Sequence, residues 1–216
     1  MSQPALFLDR DGTLVQPRHY PTRPDELLIF AGVPELLRLF QRHGWRIVVI
    51  TNQSGVARGY LSEGELASMH CCMAADLGRR GVRLDGVYHC PHHPDGTVAP
   101  FNVACECRKP SPGMLLRAAA ELDLDLGRSW FLGDILDDVE AGHRAGCRAA
   151  LVDLGSESRP ESALRTPELV GRDTVHALRA IAAVEGLAET AELDYLPPAW
   201  GLVRTLGQSP AMRAKP

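Results

Sequence analysis

The sequence predicts an α/β protein whose parallel, Rossmann-like sheet is flanked by helices. Three observations support this class. Short apolar runs of strand length alternate with helical patterns, the helical patterns carry start and stop signals, and polar residues follow several of the strands. Strands that are separated by helices connect through right-handed crossovers, which places helices on both faces of a mostly parallel sheet. With 216 residues the chain can bury a full core without disulfide bonds.

The predicted elements follow one another in regular alternation. The strands are Ala5–Leu8, Arg46–Thr51, Gly86–Tyr88, Trp130–Leu132 and Ala149–Val152. The helices are Val33–His43, Ser62–Arg79, Gly113–Leu122, Asp137–Ala145 and Asp173–Ala183. Ser62 and Glu65 form a predicted capping box, and Pro34 suits a first helical turn. Gly44 and Gly81 suit the positions that follow helix ends.

Polar residues that can carry chemistry fall at the ends of three predicted strands. Asp9 and Asp11 follow the first strand, Thr51 ends the second, and Asp134 follows the fourth. In open parallel sheets, ligands bind at the carboxyl ends of the strands, near the point where the strand order reverses. We therefore expect these side chains to meet at one edge of the sheet.

The residue types at this edge suit phosphoryl transfer. A carboxylate at a strand end can attack phosphorus, and a second one two residues later can give and take a proton. Two anions repel a phosphate, so this chemistry needs a divalent cation and basic side chains nearby. Arg108 and Lys109 suit the phosphate oxygens as a fork and a point charge. Thr51 and Asn52 can donate further hydrogen bonds.

The segment GDILDD at residues 133–138 supplies acids for the cation. Asp134 follows a strand, and hard oxygen ligands of this kind select Mg²⁺. Asp137 and Asp138 open the next predicted helix, where acids are also favourable without any metal because of the helix dipole. The convergence of several strand ends, rather than any one acid, indicates a site.

A long connection over residues 89–112 is rich in proline, cysteine and histidine. Cys90 and His92 are followed, after twelve residues, by Cys105 and Cys107. Three thiolates and one imidazole fit a closed tetrahedral zinc site, which is structural because no ligand position stays open. His93 is an alternative ligand to His92. Zinc would order the loop that leads into the two basic residues.

The other three cysteines are predicted to be small apolar side chains of the core rather than metal ligands. They are Cys71, Cys72 and Cys147. Cysteines that are reduced or bound to a metal indicate a reducing compartment. Because the chain also lacks a secretion signal and an apolar stretch of about 18 residues, we expect a cytoplasmic protein.

Four ordered motifs, FLDRDGTL, TNQSGVARG, CRKPSPGM and GDILDD, resemble those of the haloacid dehalogenase-like (HAD) phosphatases. Within that family they resemble the branch of the D-glycero-D-manno-heptose-1,7-bisphosphate 7-phosphatases, which is related to the histidinol-phosphatase domain. The similarity spans about residues 5 to 155. It implies a Rossmann-like HAD fold with a minimal cap and a zinc-binding loop over residues 89–109, here called the Cys/His loop.

The resemblance also implies roles for the motif residues. Asp9 would form an aspartyl-phosphate, and Asp11 would be the general acid and base. Thr51 and Lys109 would stabilise the phosphoryl group. Mg²⁺ would be bound by Asp9, the main-chain carbonyl of Asp11, and Asp134. The implied substrate contacts are Arg18, His19, Tyr20, Thr51, Asn52, Gln53, Ser54, Arg108 and Lys109.

The sequence departs from this branch at Ile135, where a basic residue usually follows the last-motif aspartate, so one positive charge is missing. Residues 17–20, PRHY, carry bulk and charge where glycine is common. We expect residues 1–187 to form the phosphatase domain, with the Cys/His loop inserted and no separate cap domain. Residues 188–216 form a C-terminal tail to which the sequence assigns no role.

The predicted function is a Mg²⁺-dependent phosphatase that removes the C7 phosphate of a heptose 1,7-bisphosphate, with zinc in a structural site. A histidinol-phosphate phosphatase is the alternative enzyme. A zinc-containing binding module without catalysis is the alternative outside enzymes, but it gains nothing from clustered like charges. The formal charge of −4 argues against nucleic acid, a DNA end included, and against anionic membranes as partners. A monomer is the default expectation.

Overall fold

A computed structural model describes residues 2–187 of the chain. It holds one six-stranded parallel sheet in the order β3-β2-β1-β4-β5-β6. The strands are β1 (Ala5–Leu8), β2 (Arg46–Asn52), β3 (Gly86–Cys90), β4 (Trp130–Gly133), β5 (Arg148–Val152) and β6 (Leu169–Gly171). The helices are α1 (Val33–Arg42), α2 (Glu63–Arg79), α3 (Gly113–Leu122), α4 (Leu136–Ala145) and α5 (Thr174–Val184). The predicted fold class is confirmed, whereas the predicted tail at 188–216 lies outside the described residues.

The sheet separates two apolar layers, because alternate residues of a strand point to opposite faces. Leu6 and Leu8 belong to the core that also contains the buried faces of α1, α2 and α5. Phe7 points the other way, into the core formed with α3 and α4. The reversal of the strand order falls between β1 and β4, so the carboxyl ends of these neighbours border the crevice where such sheets bind ligands.

The local signals predicted from the sequence have the expected structural effects. Ser62 caps α2, since its hydroxyl accepts from the Glu65 amide at 3.2 Å and the Glu65 carboxylate accepts from the Ser62 amide at 2.7 Å. Gly44 and Gly81 follow helix ends at φ values of +82° and +77°. The predicted elements are found with small shifts of their ends.

The sequence analysis missed one strand and was wrong on two cysteines. The edge strand β6 (Leu169–Gly171) was not predicted, because a run of three residues is too short to be recognised from sequence. Cys71 and Cys72 are exposed on α2 rather than buried, and only Cys147 of that group lies in the core. Adjacent helical positions point about 100° apart, so the phase of α2 decides their exposure.

The connections between the motifs are short, as predicted. Between β1 and β2 the described chain holds only a 3₁₀ turn (Pro24–Glu26) and α1. Between β2 and Lys109 it holds α2, β3 and the Cys/His loop. Within residues 2–187 the segments between these motifs hold no separate domain over the sheet edge, and the minimal cap stays a prediction. No helix in this part of the chain is long and apolar enough to cross a bilayer.

Candidate active site

Three carboxylates meet at the carboxyl edge of the sheet. Asp9 follows β1, Asp134 follows β4, and Asp138 lies in the first turn of α4. One carboxylate oxygen from each lies within 4.8 Å of the other two. Gly12 permits this approach, because a Cβ atom at Gly12 would lie 2.2 Å from Asp134 Oδ2. The glycine of the first motif is therefore needed for close contact as well as for its positive φ of +81°.

Lys109 reaches into this cluster from the Cys/His loop. Its side chain is almost fully buried, and its Nζ lies 2.5 Å from both Asp9 Oδ1 and Asp138 Oδ1. The same Nζ donates to the Ile50 carbonyl at 3.2 Å. The Asn52 side chain holds the Lys109 backbone, since Oδ1 accepts from the Lys109 amide at 3.1 Å and Nδ2 donates to its carbonyl at 3.2 Å. The loop is thereby fastened to the end of β2.

The charges in this cluster are unequal, since one ammonium faces three carboxylates. Burial raises the pKa of Asp9 to about 7; Lys109 opposes the shift, and Asp138 and Asp11 add to it. Burial, with the charges of Asp9 and Asp138, raises the pKa of Asp134 to about 8. Burial disfavours the charged form of Lys109, but Asp138 and Asp9 outweigh it and raise the Lys109 pKa. Excess negative charge on hard oxygen donors fits a divalent cation such as Mg²⁺.

Asp11 lies beside this cluster, and its side chain is held by two neighbours. Its Oδ2 accepts from Arg10 Nε at 3.0 Å, from Arg10 Nη2 at 2.7 Å and from Gln53 Nε2 at 2.9 Å. Gln53 Nε2 also donates to Thr51 Oγ1 at 2.8 Å. Gln53 therefore joins the predicted acid and base to the predicted phosphoryl-stabilising hydroxyl.

This geometry brings together only part of the predicted set of magnesium ligands. The carboxylates of Asp9 and Asp134 come together as predicted. The Asp11 side chain is not among the grouped metal-ligating atoms of residues 2–187, and its contact through the main-chain carbonyl stays a prediction.

Asp138 is a site residue that the sequence analysis did not place in the predicted set. Helix-opening acids are common without a metal, and the Lys109 partner lies far away in the chain, so no local signal singles out Asp138. Its Oδ2 accepts from the Ile135 amide at 3.3 Å, which caps α4. The adjacent Asp137 faces away and pairs with Arg165 at 3.0 Å. Ile135 supplies this backbone donor and adds no side-chain charge to the cluster.

The predicted substrate contacts after the first motif lie against the turn that follows β2. The Tyr20 ring packs edge-on against His19 with centroids 4.6 Å apart. A Cβ atom at Gly55 would lie 3.3 Å from Tyr20 Cδ1, so this ring borders the turn that contains Ser54. Arg18 is exposed and Ser54 is half-buried. Their contacts with a substrate stay predictions.

Four zinc-ligand candidates come together at the carboxyl end of β3. Cys107 Sγ lies 3.2 Å from both Cys90 Sγ and Cys105 Sγ, and 3.3 Å from His92 Nδ1. Cys90 Sγ lies 3.5 Å from Cys105 Sγ. Zn–S bonds of about 2.3 Å put tetrahedral sulfurs about 3.8 Å apart, so a small outward shift would admit zinc. The donor set and the spacing therefore fit this metal.

His92, rather than the alternative His93, belongs to this group. The His93 ring lies with its Nε2 3.2 Å from Arg58 Nη2. Burial lowers the pKa of His93, and the positive charges of Arg108 and Arg58 act in the same direction. Arg108 Nη1 also donates to the His92 carbonyl at 3.4 Å. The guanidinium groups of Arg58 and Arg108, the first residue of the RKP segment, therefore both lie near His93.

Comparison with known proteins identifies relatives that match most of the chain. A family model described as HAD-hydrolase-like matches residues 106–178. The D-glycero-β-D-manno-heptose-1,7-bisphosphate 7-phosphatase of Yersinia pestis is 47% identical over 140 residues, covering 65% of this chain and 74% of the relative. The protein of the same name from Escherichia coli K12 is 42% identical over 162 residues, covering 74% of this chain and 85% of the relative.

Solved structures support the same assignment. D,D-heptose 1,7-bisphosphate phosphatase from B. bronchiseptica, crystallised with magnesium and phosphate, has a TM-score of 0.70 at 31% identity. The match covers 84% of this chain and 99% of that structure. The resemblance seen in the four motifs is confirmed, and the chain is a phosphoric monoester hydrolase. It belongs to the HAD-like hydrolases, in the family of the D-glycero-β-D-manno-heptose-1,7-bisphosphate 7-phosphatases.

Proposed function

We propose that this chain removes the C7 phosphate of D-glycero-D-manno-heptose 1,7-bisphosphate through an aspartyl-phosphate on Asp9. The observation that carries the proposal is the group formed by buried Asp9, Lys109 and Asp138 with half-buried Asp134, beside Asp11. The two heptose-1,7-bisphosphate 7-phosphatases compared above match this chain over most of their own length. Asp9, the Asp11 carbonyl and Asp134 would hold Mg²⁺, which supplies charge neutralisation at the phosphoryl group.

In the first half of the reaction, an Asp9 carboxylate oxygen bonds to phosphorus while the bond between phosphorus and the C7 oxygen breaks. Asp11 donates its proton to the departing oxygen, so that heptose 1-phosphate leaves as an alcohol. Lys109 compensates the charge of Asp9 and of the phosphoryl oxygens from a fixed position. Thr51, at the end of β2, offers its hydroxyl to the same oxygens.

In the second half, water attacks the phosphorus of the aspartyl-phosphate. Asp11, now ionised, takes a proton from that water, and the bond between phosphorus and the Asp9 oxygen breaks. Inorganic phosphate leaves, and Asp9 returns to its carboxylate form. The two halves use one carboxyl group first as an acid and then as a base, which requires Asp11 to stay in one place.

We further propose that Cys90, His92, Cys105 and Cys107 bind a structural zinc ion. Support comes from the three sulfur atoms and His92 Nδ1. The sulfurs lie 3.2–3.5 Å from one another, and Nδ1 lies 3.3 Å from Cys107 Sγ and 3.7 Å from Cys90 Sγ. Peptide bonds link Cys107 to Arg108 and Lys109, so a fixed sulfur would restrict the backbone that aims both cations. The required thiolates fit a reducing compartment such as the cytoplasm.

The remaining predicted contacts concern the sugar and its second phosphate. We propose that Arg108 binds the C1 phosphate, because it directly precedes Lys109 in the chain and its half-buried guanidinium makes only a long bond, of 3.4 Å, to the His92 carbonyl. Arg18, His19, Tyr20 and Ser54 would line the sugar path, and the packing of Tyr20 against the turn after β2 supports this. Asn52 would position Lys109 rather than contact the sugar, since its side-chain oxygen and nitrogen both hydrogen-bond to the Lys109 backbone.

The function is tested with the purified full chain, heptose 1,7-bisphosphate and histidinol phosphate, each with and without Mg²⁺. We expect Mg²⁺-dependent phosphate release from the bisphosphate, with the C1 phosphate retained in the phosphorus NMR spectrum of the product. A higher kcat/KM for histidinol phosphate would favour the alternative enzyme. Release no greater than that of Asp9→Asn with either compound would reject the phosphatase function. Light scattering on the same sample tests the expected monomer.

A further inference from the structure

Arg10 stands between the two acids of the first motif, and its side chain is fully buried. Its guanidinium has three partners. Nε and Nη2 donate to Asp11 Oδ2, at 3.0 and 2.7 Å, and Nη2 also donates to Gln53 Oε1 at 2.9 Å. Nη1 lies 3.2 Å from Nε2 of His70, which belongs to α2. None of these hydrogen bonds joins Arg10 to Asp9, Asp134 or Lys109.

We propose that Arg10 is a positioning residue that holds Asp11 in the orientation from which it transfers protons. The inference rests on the proposed function in one respect, which is the role of Asp11 as general acid and base. It adds a residue, and with His70 a support for that residue, to the group that performs the reaction.

The hydrogen bonds select one oxygen of Asp11. Oδ2 accepts from two Arg10 nitrogens and from Gln53, whereas Oδ1 is buried and has no hydrogen-bond partner among the described residues. An oxygen that already accepts three N–H donors is the poorer place for a proton. Oδ1 is therefore the oxygen that is left to exchange a proton with the departing oxygen and with water.

His70 fixes the far side of the guanidinium. Burial lowers the pKa of His70 to about 3, and the positive charge of Arg10 acts in the same direction. The ring is therefore neutral, and its Nε2 can accept from Arg10 Nη1. A buried guanidinium that lacks acceptors is costly, so His70 and Gln53 together keep the Arg10 plane in register with the Asp11 carboxylate.

A purely structural ion pair would give a different kinetic result from a positioning residue. The 4-nitrophenolate ion leaves phosphorus without a proton, whereas phenolate and a sugar alkoxide leave more readily when an acid protonates them. Loss of fold stability lowers kcat/KM alike for 4-nitrophenyl phosphate, phenyl phosphate and the heptose bisphosphate. Misplacement of Asp11 lowers it for the substrates that need a proton, since kcat/KM reports the steps up to formation of the aspartyl-phosphate.

The test compares Arg10→Lys, His70→Leu and Arg46→Lys on 4-nitrophenyl phosphate, phenyl phosphate and heptose 1,7-bisphosphate. Arg46 is the matched control, because it forms an arginine–aspartate pair with Asp85 at 2.7 Å at the start of β2. We expect Arg10→Lys to lower kcat/KM about 10²-fold for the last two substrates and less than about threefold for the first. His70→Leu should show the same pattern at smaller size, and it carries the test if Arg10→Lys does not fold.

The outcomes separate this inference from the proposed function. An equal loss on all three substrates in the folded variants would overturn the role of Arg10 and leave the proposed function intact. A wild-type enzyme that hydrolyses the aryl phosphates but not the heptose bisphosphate would overturn the substrate, while the aryl series still decides the role of Arg10. A wild-type chain with no turnover of any of them would overturn both.

Discussion

Lys109 Nζ lies 2.5 Å from Asp9 Oδ1 and 2.5 Å from Asp138 Oδ1. One ammonium group thereby joins the end of β1, the start of α4 and the loop between β3 and α3. All three side chains are buried, so removing the ammonium would leave the carboxylates unopposed, whereas removing the charge of Asp9 would leave Lys109 paired with Asp138. Catalytic activity and fold stability therefore both depend on Lys109, and the two effects can be measured separately.

Lys109→Met should abolish turnover and destabilise the metal-free protein. Methionine fills much of the same space without the ammonium, which leaves the buried Asp9 and Asp138 and the half-buried Asp134 without an opposing charge. Removing one partner of a buried ion pair costs about 3–5 kcal/mol, and losing one transition-state donor lowers kcat at least about 10²-fold. Urea unfolding and phosphate release measure the two effects. Lys109→Arg keeps the charge and should lose less stability, and a Lys109→Met protein as stable as wild type would contradict the predicted coupling.

Asp9→Asn should remove turnover while leaving the metal-free fold as stable as wild type or more stable. The amide cannot attack phosphorus, but it resembles the protonated carboxyl, and burial already raises the pKa of Asp9 to about 7. Repulsion against Asp134 and Asp138 is also reduced. Phosphate release and thermal unfolding in the presence of a chelator are the measurements. Turnover above the level of a mock purification would exclude Asp9 as the nucleophile.

The parts of the site that could be predicted from sequence are those that depend on strand ends. Asp9, Thr51 and Asp134 each follow or end an apolar run, and parallel strands bring such positions to one edge whatever the loops do. The cysteine and histidine spacing is similarly local. Which of two adjacent acids faces inward is not local, because it depends on the phase of α4; Asp138 turns to Lys109, whereas Asp137 turns to Arg165.

Arg10 shows why the remainder could not be predicted. In an extended chain the residue between two acids points to the opposite side, so the sequence assigns Arg10 no part in the site. The first motif is a turn rather than a strand at this point, with Gly12 at φ +81°. The guanidinium returns to Asp11, and its other acceptors come from Gln53, directly after β2, and from His70 of α2. A partner such as His70, sixty residues away, is visible only once the helices are packed.

Cys107→Ser should release zinc and lower activity together. Serine cannot supply the soft thiolate, so the four-ligand site loses its closed geometry, and the backbone of Arg108 and Lys109 is no longer fixed. Metal analysis by mass spectrometry and kcat/KM for the bisphosphate are measured on the same preparation. Cys71→Ser is the control, because Cys71 is exposed on α2 and lies outside the cluster. A zinc-free Cys107→Ser enzyme with full activity would reject the ordering role.

Arg108→Met should weaken binding of the bisphosphate more than binding of heptose 7-phosphate. If the guanidinium binds the C1 phosphate, its loss removes a charge-assisted hydrogen bond of about 1.5–3 kcal/mol, or roughly 10- to 150-fold in kcat/KM, from the bisphosphate only. Arg117→Met is the control, since Arg117 pairs with Glu121 and stacks on Tyr88. Equal losses on both sugars would place the effect of Arg108 at the reacting phosphate instead.

The pair of His143 and Glu168 should make the stability of the protein depend on pH. His143 Nε2 lies 2.9 Å from Glu168 Oε2, and the hydrogen bond to Glu168 raises the pKa of His143 above its ordinary 6.5 despite partial burial. Burial opposes ionisation of Glu168, but its bonds from His143 and the Ala149 amide lower its pKa below 4.5. The His143 contribution is fully present below pH 6.5 and is lost as pH rises through the raised value. The Glu168 contribution is present above pH 4.5 and is lost as pH falls.

The two directions define a window between about pH 4.5 and 6.5 in which the charged pair contributes most. His143→Gln keeps a side chain that can hydrogen-bond but cannot be charged, so the difference in unfolding free energy from wild type should be largest in that window and shrink towards pH 8. Urea unfolding at intervals from pH 4 to 9 measures this difference, and His43→Gln, at the exposed residue that follows α1, is the control. A difference that grows above pH 7 would mean that the neutral form of His143 is the stabilising one.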